Sequence, residues 1–286
     1  MKTRVAGIKS FSFSIDAERD YRTDRKLTVR GLTEGLPLFF DLLKSHGIPF
    51  DVMGSGEVAE PLPREILETR EDLAALGCHG YSHSPGYLNH MRLSEKEAEI
   101  SRATNVLRER FGRPPRHFRA PNFSLDGETV DILGRLGYLV DSSVLPGRYV
   151  RRWRLIPLVD QRGAPQDPYT PDSNDFRRPG QSRILEVPVT PNPLAAGAPL
   201  GLGFLHSEGV SSCLSALRQT TGRYVVFLAH TWEIVTWLPS DPVRPWVLAV
   251  GRGKPDRLEE LVSALDGWEF LNLDRIETRE KIARAG

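Results

Sequence analysis

Residues 116–141 read RHFRAPNFSLDGETVDILGRLGYLVD, and this stretch sets the fold class. Arg116 to Phe118 is short and strand-like. Gly127 to Leu136 has helical periodicity, and Tyr138 to Asp141 reads as the next strand. The same rhythm runs outward from this unit. Upstream, Ile8 to Ile15 alternates apolar and polar residues as a strand does, and Leu32 to His46 is helical and stops at Gly47. Ile48 to Met53 is a short strand, and Pro63 to Leu76 a second helix opened by Pro-Arg-Glu. Ser94 to Phe111 is a helix with Ser94 as N-cap and Glu97 completing a capping box. Downstream come a strand at Ile184 to Val189 containing Glu186, a helix at Val210 to Gln219 and a buried strand at Tyr224 to Ala229. Leu258 to Leu265 is helical, and Trp268 to Leu273 is a last strand. Repeated strand–helix alternation predicts an α/β fold with a mainly parallel sheet, a barrel or partial barrel of about seven units.

The 286 residues are read as one domain, 1–286, long enough to bury a core without disulfides or structural metal. Lys and Arg total 38 against 37 Asp and Glu, so nothing in the charge points to nucleic acid. Cys78 and Cys213 are too few for a disulfide framework. The first residues lack the apolar core of an export signal, and no stretch is apolar enough to span a membrane. The expectation is a cytoplasmic protein with no membrane span, peripheral membrane contact being compatible with it. Pro146 to Arg183 breaks the rhythm as an irregular insertion holding eight arginines and four aspartates. Pro191 to Phe204 is a second irregular stretch, apolar and flexible.

His79 and His83 stand four residues apart. That spacing lets two imidazoles point the same way from one helical turn and share a divalent metal, leaving a coordination position open. Other polar residues recur at strand ends: Asp16 and Glu18 after the first strand, Arg119 after Phe118, Asp141 and His230 at the ends of theirs. In a β/α barrel such ends gather on one face.

Five motifs in this order resemble the polysaccharide deacetylase family, also called the NodB-homology family or carbohydrate esterase family four, from Phe11 to about Ile276. They are Phe13-Ser14-Ile15-Asp16-Ala17-Glu18, His79-Gly80-Tyr81-Ser82-His83, Phe118-Arg119-Ala120-Pro121-Asn122-Phe123-Ser124, Gly137-Tyr138-Leu139-Val140-Asp141-Ser142-Ser143 and Phe227-Leu228-Ala229-His230-Thr231-Trp232-Glu233. The resemblance implies a distorted (β/α) barrel with fewer than eight strands. It implies a metal held by Glu18, His79 and His83, activating a water and polarising the acyl oxygen. Zinc suits two imidazoles and a carboxylate, with Co²⁺, Ni²⁺ or Fe²⁺ as alternatives. Asp16 is then the general base, Arg119 its charge-assisted and bidentate partner, and His230 the general acid. Asp141 is expected to orient His230, and the backbone near Gly80 and Tyr81 to complete an oxyanion hole. Tyr81, Pro121 and Trp232 are candidate substrate contacts, and Trp237 either lines the pocket or packs in the core. The first motif departs from the commoner adjacent Asp-Asp, which makes Asp20 a rival to Glu18, and Ala229 replaces a usual Leu.

The implied reaction is removal of an N-acyl group, acetyl foremost, from an amino sugar. Without an export signal, a small nucleotide- or lipid-linked substrate is expected, with the arginine-rich insertion on its phosphate. Rival readings are a deformylase of a lipid-linked amino sugar, an allantoinase-like amidohydrolase of ureides or cyclic imides, and a non-catalytic carbohydrate-binding protein.

Overall fold

The computed structural model describes residues 9–64, 73–83, 86–250 and 255–285. Seven parallel strands form a curled half-barrel: β1 (Ser10–Ala17), β2 (Phe50–Gly54), β3 (Ala74–Cys78), β4 (His117–Phe118), β5 (Val140–Asp141), β8 (Leu185–Glu186) and β9 (Tyr224–His230). β9 lies on one side of β1 and β2 on the other, with the short β10 (Glu269–Phe270) beside the start of β1. The chain after β8 bends back towards β9, where the Thr190 N–H donates to Val226 O at 3.2 Å and the Leu228 N–H to Leu200 O at 3.2 Å. The seven helices are α1 (Leu36–Ser45), α2 (Leu93–Phe111), α3 (Gly127–Leu136), α4 (Leu202–Gln219), α5 (Pro245–Val250), α6 (Pro255–Ala264) and α7 (Leu273–Ala285) among the described residues.

β1 explains how polar residues reach the interior. All eight of its residues are buried. Phe11, Phe13 and Ile15 face outward into the main core with Phe39 of α1 and Leu205 of α4. The alternate set, Ser12, Ser14 and Asp16, faces the barrel interior, where Ser12 Oγ donates to Asp51 at 3.4 Å. The period-two pattern is therefore real, but its polar face meets the lumen rather than solvent.

Several boundaries differ from the sequence reading. The helix expected over Pro63 to Leu76 falls mostly outside the described residues, and its last part is instead strand β3. His79 thus follows a strand, and residues 79–83 are irregular rather than one helical turn. Helix α2 begins one residue before Ser94, and its capping carboxylate is Glu95, which accepts the Arg92 N–H at 3.1 Å. Glu97 instead pairs with Arg135 at 3.0 Å. Helix α4 starts earlier than Val210 and contains a kink at Gly209. Pro191 to Phe204 is held, not loose: Pro191 bridges Pro199, the Leu200 N–H donates to Thr190 O at 2.8 Å, and Phe204 already lies in α4. The insertion carries an antiparallel hairpin, β6 (Tyr149–Arg152) and β7 (Ile156–Asp160). No helix among the described residues is long and apolar enough to cross a membrane. Cys78 and Cys213 are buried free thiols.

Candidate active site

Strand register builds the site. Asp16 and His230 are directly opposite one another at the carboxyl ends of β1 and β9. Asp16 also pairs with Met53 of β2, which pairs with Gly77 of β3, so His79 emerges two residues further along on the lumen side. Asp16 Oδ2 lies 3.8 Å from His79 Nε2 and 3.9 Å from His230 Nε2. Its other oxygen accepts Arg119 Nη1–H at 2.8 Å. Arg119 is fully buried and spends its remaining donors on Ser142, with Nε to the carbonyl at 2.9 Å and Nη2 to Oγ at 3.0 Å. The contact with Asp16 is thus single, not the bidentate one expected, because Ser142 takes the rest of the fork.

Glu18, His79 and His83 converge, with one potential ligand atom from each within 4.8 Å of the others. Glu18 Oε2 is 2.5 Å from His83 Nε2, and the two Nε2 atoms are 3.0 Å apart. His79 Nδ1 lies 2.9 Å from the Arg119 carbonyl, which can only accept. That fixes the proton on Nδ1 and leaves the Nε2 lone pair turned to the cluster. Asp20 is placed elsewhere: it accepts Thr28 Oγ1–H at 2.7 Å and the N–H groups of Arg30 and Gly31 at 2.8 and 2.9 Å. Glu18, not Asp20, accompanies the histidines. This donor set, two imidazoles and a carboxylate on an open cavity, fits a divalent ion of the zinc type.

The charges are mutually adjusted. Burial pushes the Glu18 carboxyl up, but His83, by charge and hydrogen bond, with His230 and His79, holds it well below the usual carboxylate range. Burial lowers His79 despite Asp16 and Glu18 nearby, favouring the neutral imidazole that a ligand needs. Burial also works against a charged His230, yet Glu233, then Glu18 and Asp16, raise it to about 9.

Glu233 takes the place expected for Asp141. Its Oε2 is 3.2 Å from His230 Nδ1 and accepts the His230 N–H at 2.7 Å. Asp141 pairs in register with Phe118 and Glu186, while its neighbour Val140 faces the lumen cluster of Val226 and Leu228. Alternation therefore turns Asp141 to the opposite face, away from His230. There it accepts Ser143 Oγ–H and shares a buried space with Glu186. Burial raises Asp141 to about 6 although a hydrogen bond from Glu186 favours its charge, and burial together with the Asp141 charge raises Glu186 well above the ordinary range.

A cavity of about 270 Å³ is lined by Asp16, Glu18, His79, His83, Arg119 and His230. Tyr21, Asn122, Phe123, Arg148, Trp232 and Trp246 complete its walls. Tyr81 and Pro121 are not among the lining residues. Tyr81 is engaged by Arg102, which donates to its hydroxyl at 2.8 Å and stacks at 3.6 Å over its ring. Pro121 packs beneath Gly80. Trp232 lines the cavity but also supports Glu18, its indole N–H donating at 3.1 Å, and its ring stacks on His230 at 5.0 Å. Trp237 is core, bonded to Trp232 O at 2.9 Å. Sequence reasoning missed Tyr21, whose hydroxyl donates to Glu18 at 2.9 Å, three residues after the carboxylate it serves. Of the insertion's arginines, Arg148 reaches the cavity, while Arg162, Arg177 and Arg178 pair with Asp160 and Asp175.

Residues 28–140 match the model of the polysaccharide deacetylase family, and the motif residues 79–83 and 118–124 fall inside that span. Over that span the chain is similar to this family. The peptidoglycan deacetylase-like protein FGM2 of Gibberella zeae is 24% identical over 168 residues, 54% of this chain and 47% of that protein. The chain thus spans about half the length of this curated relative. A structure described as a polysaccharide deacetylase, from Mycobacterium smegmatis, superposes with a TM-score of 0.66 at 17% identity, covering 99% of this chain and 94% of that one. The Puue allantoinase gives 0.60 at 14% identity, covering 94% and 89%. At these identities both likenesses are of fold.

Proposed function

We propose that this chain is a metal-dependent hydrolase that removes an N-acyl group, acetyl foremost, from an amino sugar or sugar conjugate. The observation that carries the reading is the arrangement around Asp16. An acid–base pair, Asp16 and His230, stands beside a three-residue ligand set on one cavity. Glu18, His79 and His83 would hold the metal, which supplies polarisation of the acyl oxygen and an acidified water.

The protein's own groups divide the proton work. Arg119 fixes one Asp16 oxygen and leaves the other facing His79 and His230, placed to take the proton of the attacking water. His230 enters the reaction protonated and gives that proton to the amine as the C–N bond breaks. Glu233 holds the imidazolium, and Trp232 stacks on it. Tyr21 and the Trp232 indole orient Glu18. Phe123, Trp246 and Leu228 provide apolar walls against which an acyl methyl would rest.

Metal content after purification, followed by assays of acetate release before and after chelation, tests this. The expected result is about one zinc-type ion per chain and activity lost on chelation and restored by metal. Chelator-insensitive sugar binding without turnover would support a carbohydrate-binding protein instead. Parallel assays on N-formyl sugars and on ureides separate deacetylase from deformylase and allantoinase-like activity. Nucleotide- and lipid-linked forms of the preferred sugar then identify its carrier.

A further inference from the structure

The β6–β7 hairpin ends in Arg151-Arg152-Trp153-Arg154-Leu155-Ile156, and every one of these residues is exposed. Trp153 is 72% exposed, Leu155 81% and Ile156 45%. The other exposed large apolar residues, such as Leu27, Leu93 and Ile282, stand singly along the chain, which is ordinary for a protein surface. Three within four consecutive positions are not. The interleaved arginines are equally distinctive. Arg162, Arg177 and Arg178 find aspartates, but Arg151, Arg152 and Arg154 have no carboxylate at ion-pair distance among the described residues. Arg152 stacks 4.3 Å over the Trp153 ring, and Arg151 5.0 Å over Tyr149.

The turn itself is costly. Trp153 and Arg154 have φ of 52° and 61°, a left-handed conformation that hairpin turns ordinarily assign to Asn or Gly. The Leu155 N–H closes it by donating to Arg152 O at 3.1 Å. Folding gains little burial from the residues so held. The hairpin also rises from the rim of the catalytic cavity. Arg148, one residue before β6, lines that cavity and is fixed by a 2.9 Å bond to Gly197 O. Trp246, another cavity residue, is 47% exposed.

We propose that this hairpin tip is a docking element for an anionic phospholipid surface. Trp153 and Leu155 enter the interfacial layer while Arg151, Arg152 and Arg154 meet lipid phosphates. A soluble polyanion would satisfy the arginines but offers no apolar phase to a leucine this exposed, whereas an acidic bilayer takes both. The planar guanidinium suits phosphate, and indole rings settle at the headgroup boundary. One hairpin gives weak, reversible binding, with each arginine contributing roughly fivefold in partitioning. The proposal is independent of the metal-site reading.

The test is co-sedimentation of the whole chain with vesicles of phosphatidylcholine alone or with added phosphatidylglycerol. The expected result is binding to the anionic vesicles, released by salt. Joint Arg151→Gln, Arg152→Gln and Arg154→Gln substitution should weaken it by roughly tenfold or more. Joint Trp153→Ser and Leu155→Ser substitution should weaken it while preserving its salt dependence. The melting temperature of each variant checks its fold, and a variant that melts lower is replaced by the single Arg154→Gln or Leu155→Ser change. Absence of binding to anionic vesicles, equal binding to both compositions, binding untouched by both sets of substitutions, or retention only by a soluble acidic glycan each overturns the proposal. Glu18→Gln should abolish hydrolysis and leave vesicle binding intact, so this proposal and the catalytic reading fail separately.

Discussion

His230 shows how one side chain's protonation is set by its neighbours. Burial alone would strip its proton, but the Glu233 carboxylate 3.2 Å from Nδ1, with Glu18 and Asp16, keeps it to about pH 9. If His230 is the acid that releases the amine, activity requires its protonated form and falls as pH rises through its pKa, giving the basic limb of the pH–rate profile. Glu233→Gln removes the largest favourable charge, so that limb should move to lower pH by about one unit or more. Activity should drop most above neutrality and little near pH 6. Asp141→Asn should leave the limb in place, since Asp141 faces Glu186. A metal ion on Glu18 moves the limb in both proteins alike, so the comparison between variants isolates Glu233. A profile for Glu233→Gln that coincides with the parent's would refute the assignment. At this scale the sequence showed which residues stand at strand ends, and the structure brings Asp16, Glu18, His79, His83, Arg119 and His230 to one cavity. It did not show the partner of His230. Asp141 sits in a strand of two residues, too short for alternation to reveal its face. Glu233 was visible only as a glutamate three residues past a strand-ending histidine, the spacing of a capping box.

Among the elements, helix α3 over Gly127–Leu136 matches its sequence reading to the residue because strong punctuation bounds it. Asp126 accepts the Thr129 N–H at 2.8 Å at its start, and Gly137, in the left-handed region, ends it. Helix α2 was read with Ser94 as its cap and Glu97 folding back, but the helix starts one residue earlier and Glu95 folds back instead. Strand β3 was hidden because Ala74-Ala75-Leu76 suits a helix by propensity, and only burial between β2 and β4 makes it extended. The turn after β3 depends on Gly80. Its φ is +66°, and an added Cβ would lie 2.9 Å from Pro121 Cγ. Gly80→Ala should therefore cost roughly 1–2 kcal/mol in backbone strain, with more from the contact. Because Gly80 stands between the two histidines, the strain should also separate them and weaken metal binding. Thermal melting and competitive zinc titration measure the two effects. Parent-like values in both would show that the turn tolerates a side chain and does not set the histidine spacing.

Across the whole molecule, the polar lumen is as much a structural device as a chemical one. Below the metal ligands in the sheet, where His117 of β4 pairs with Gly77 of β3, His117 holds Asp51 of β2 and Asp274 of α7, each 3.1 Å away. The three residues tie the middle of the sheet to the C-terminal helix, and Asp51 also accepts the Leu273 N–H at 3.1 Å. Burial opposes the His117 charge, but its hydrogen bonds to the Asp274 and Asp51 carboxylates and their charges raise its pKa to about 9. A histidine whose pKa is raised on folding contributes stability that is complete below its unfolded pKa, about 6.5, and is lost as pH rises through the folded value. The chain should therefore lose stability between about pH 7 and 10. His230 titrates in the same window, so the decisive comparison is with His117→Gln. At pH 7 that variant leaves Asp51 buried beside a neutral amide and should lose about 3 kcal/mol, the scale for breaking a buried pair. Its melting temperature should then decline less with pH than the parent's, and the gap between the two curves should close towards pH 10. Curves that stay parallel from pH 7 to 10 would mean that His117 is neutral throughout and that the tie between β4, β2 and α7 is not ionic.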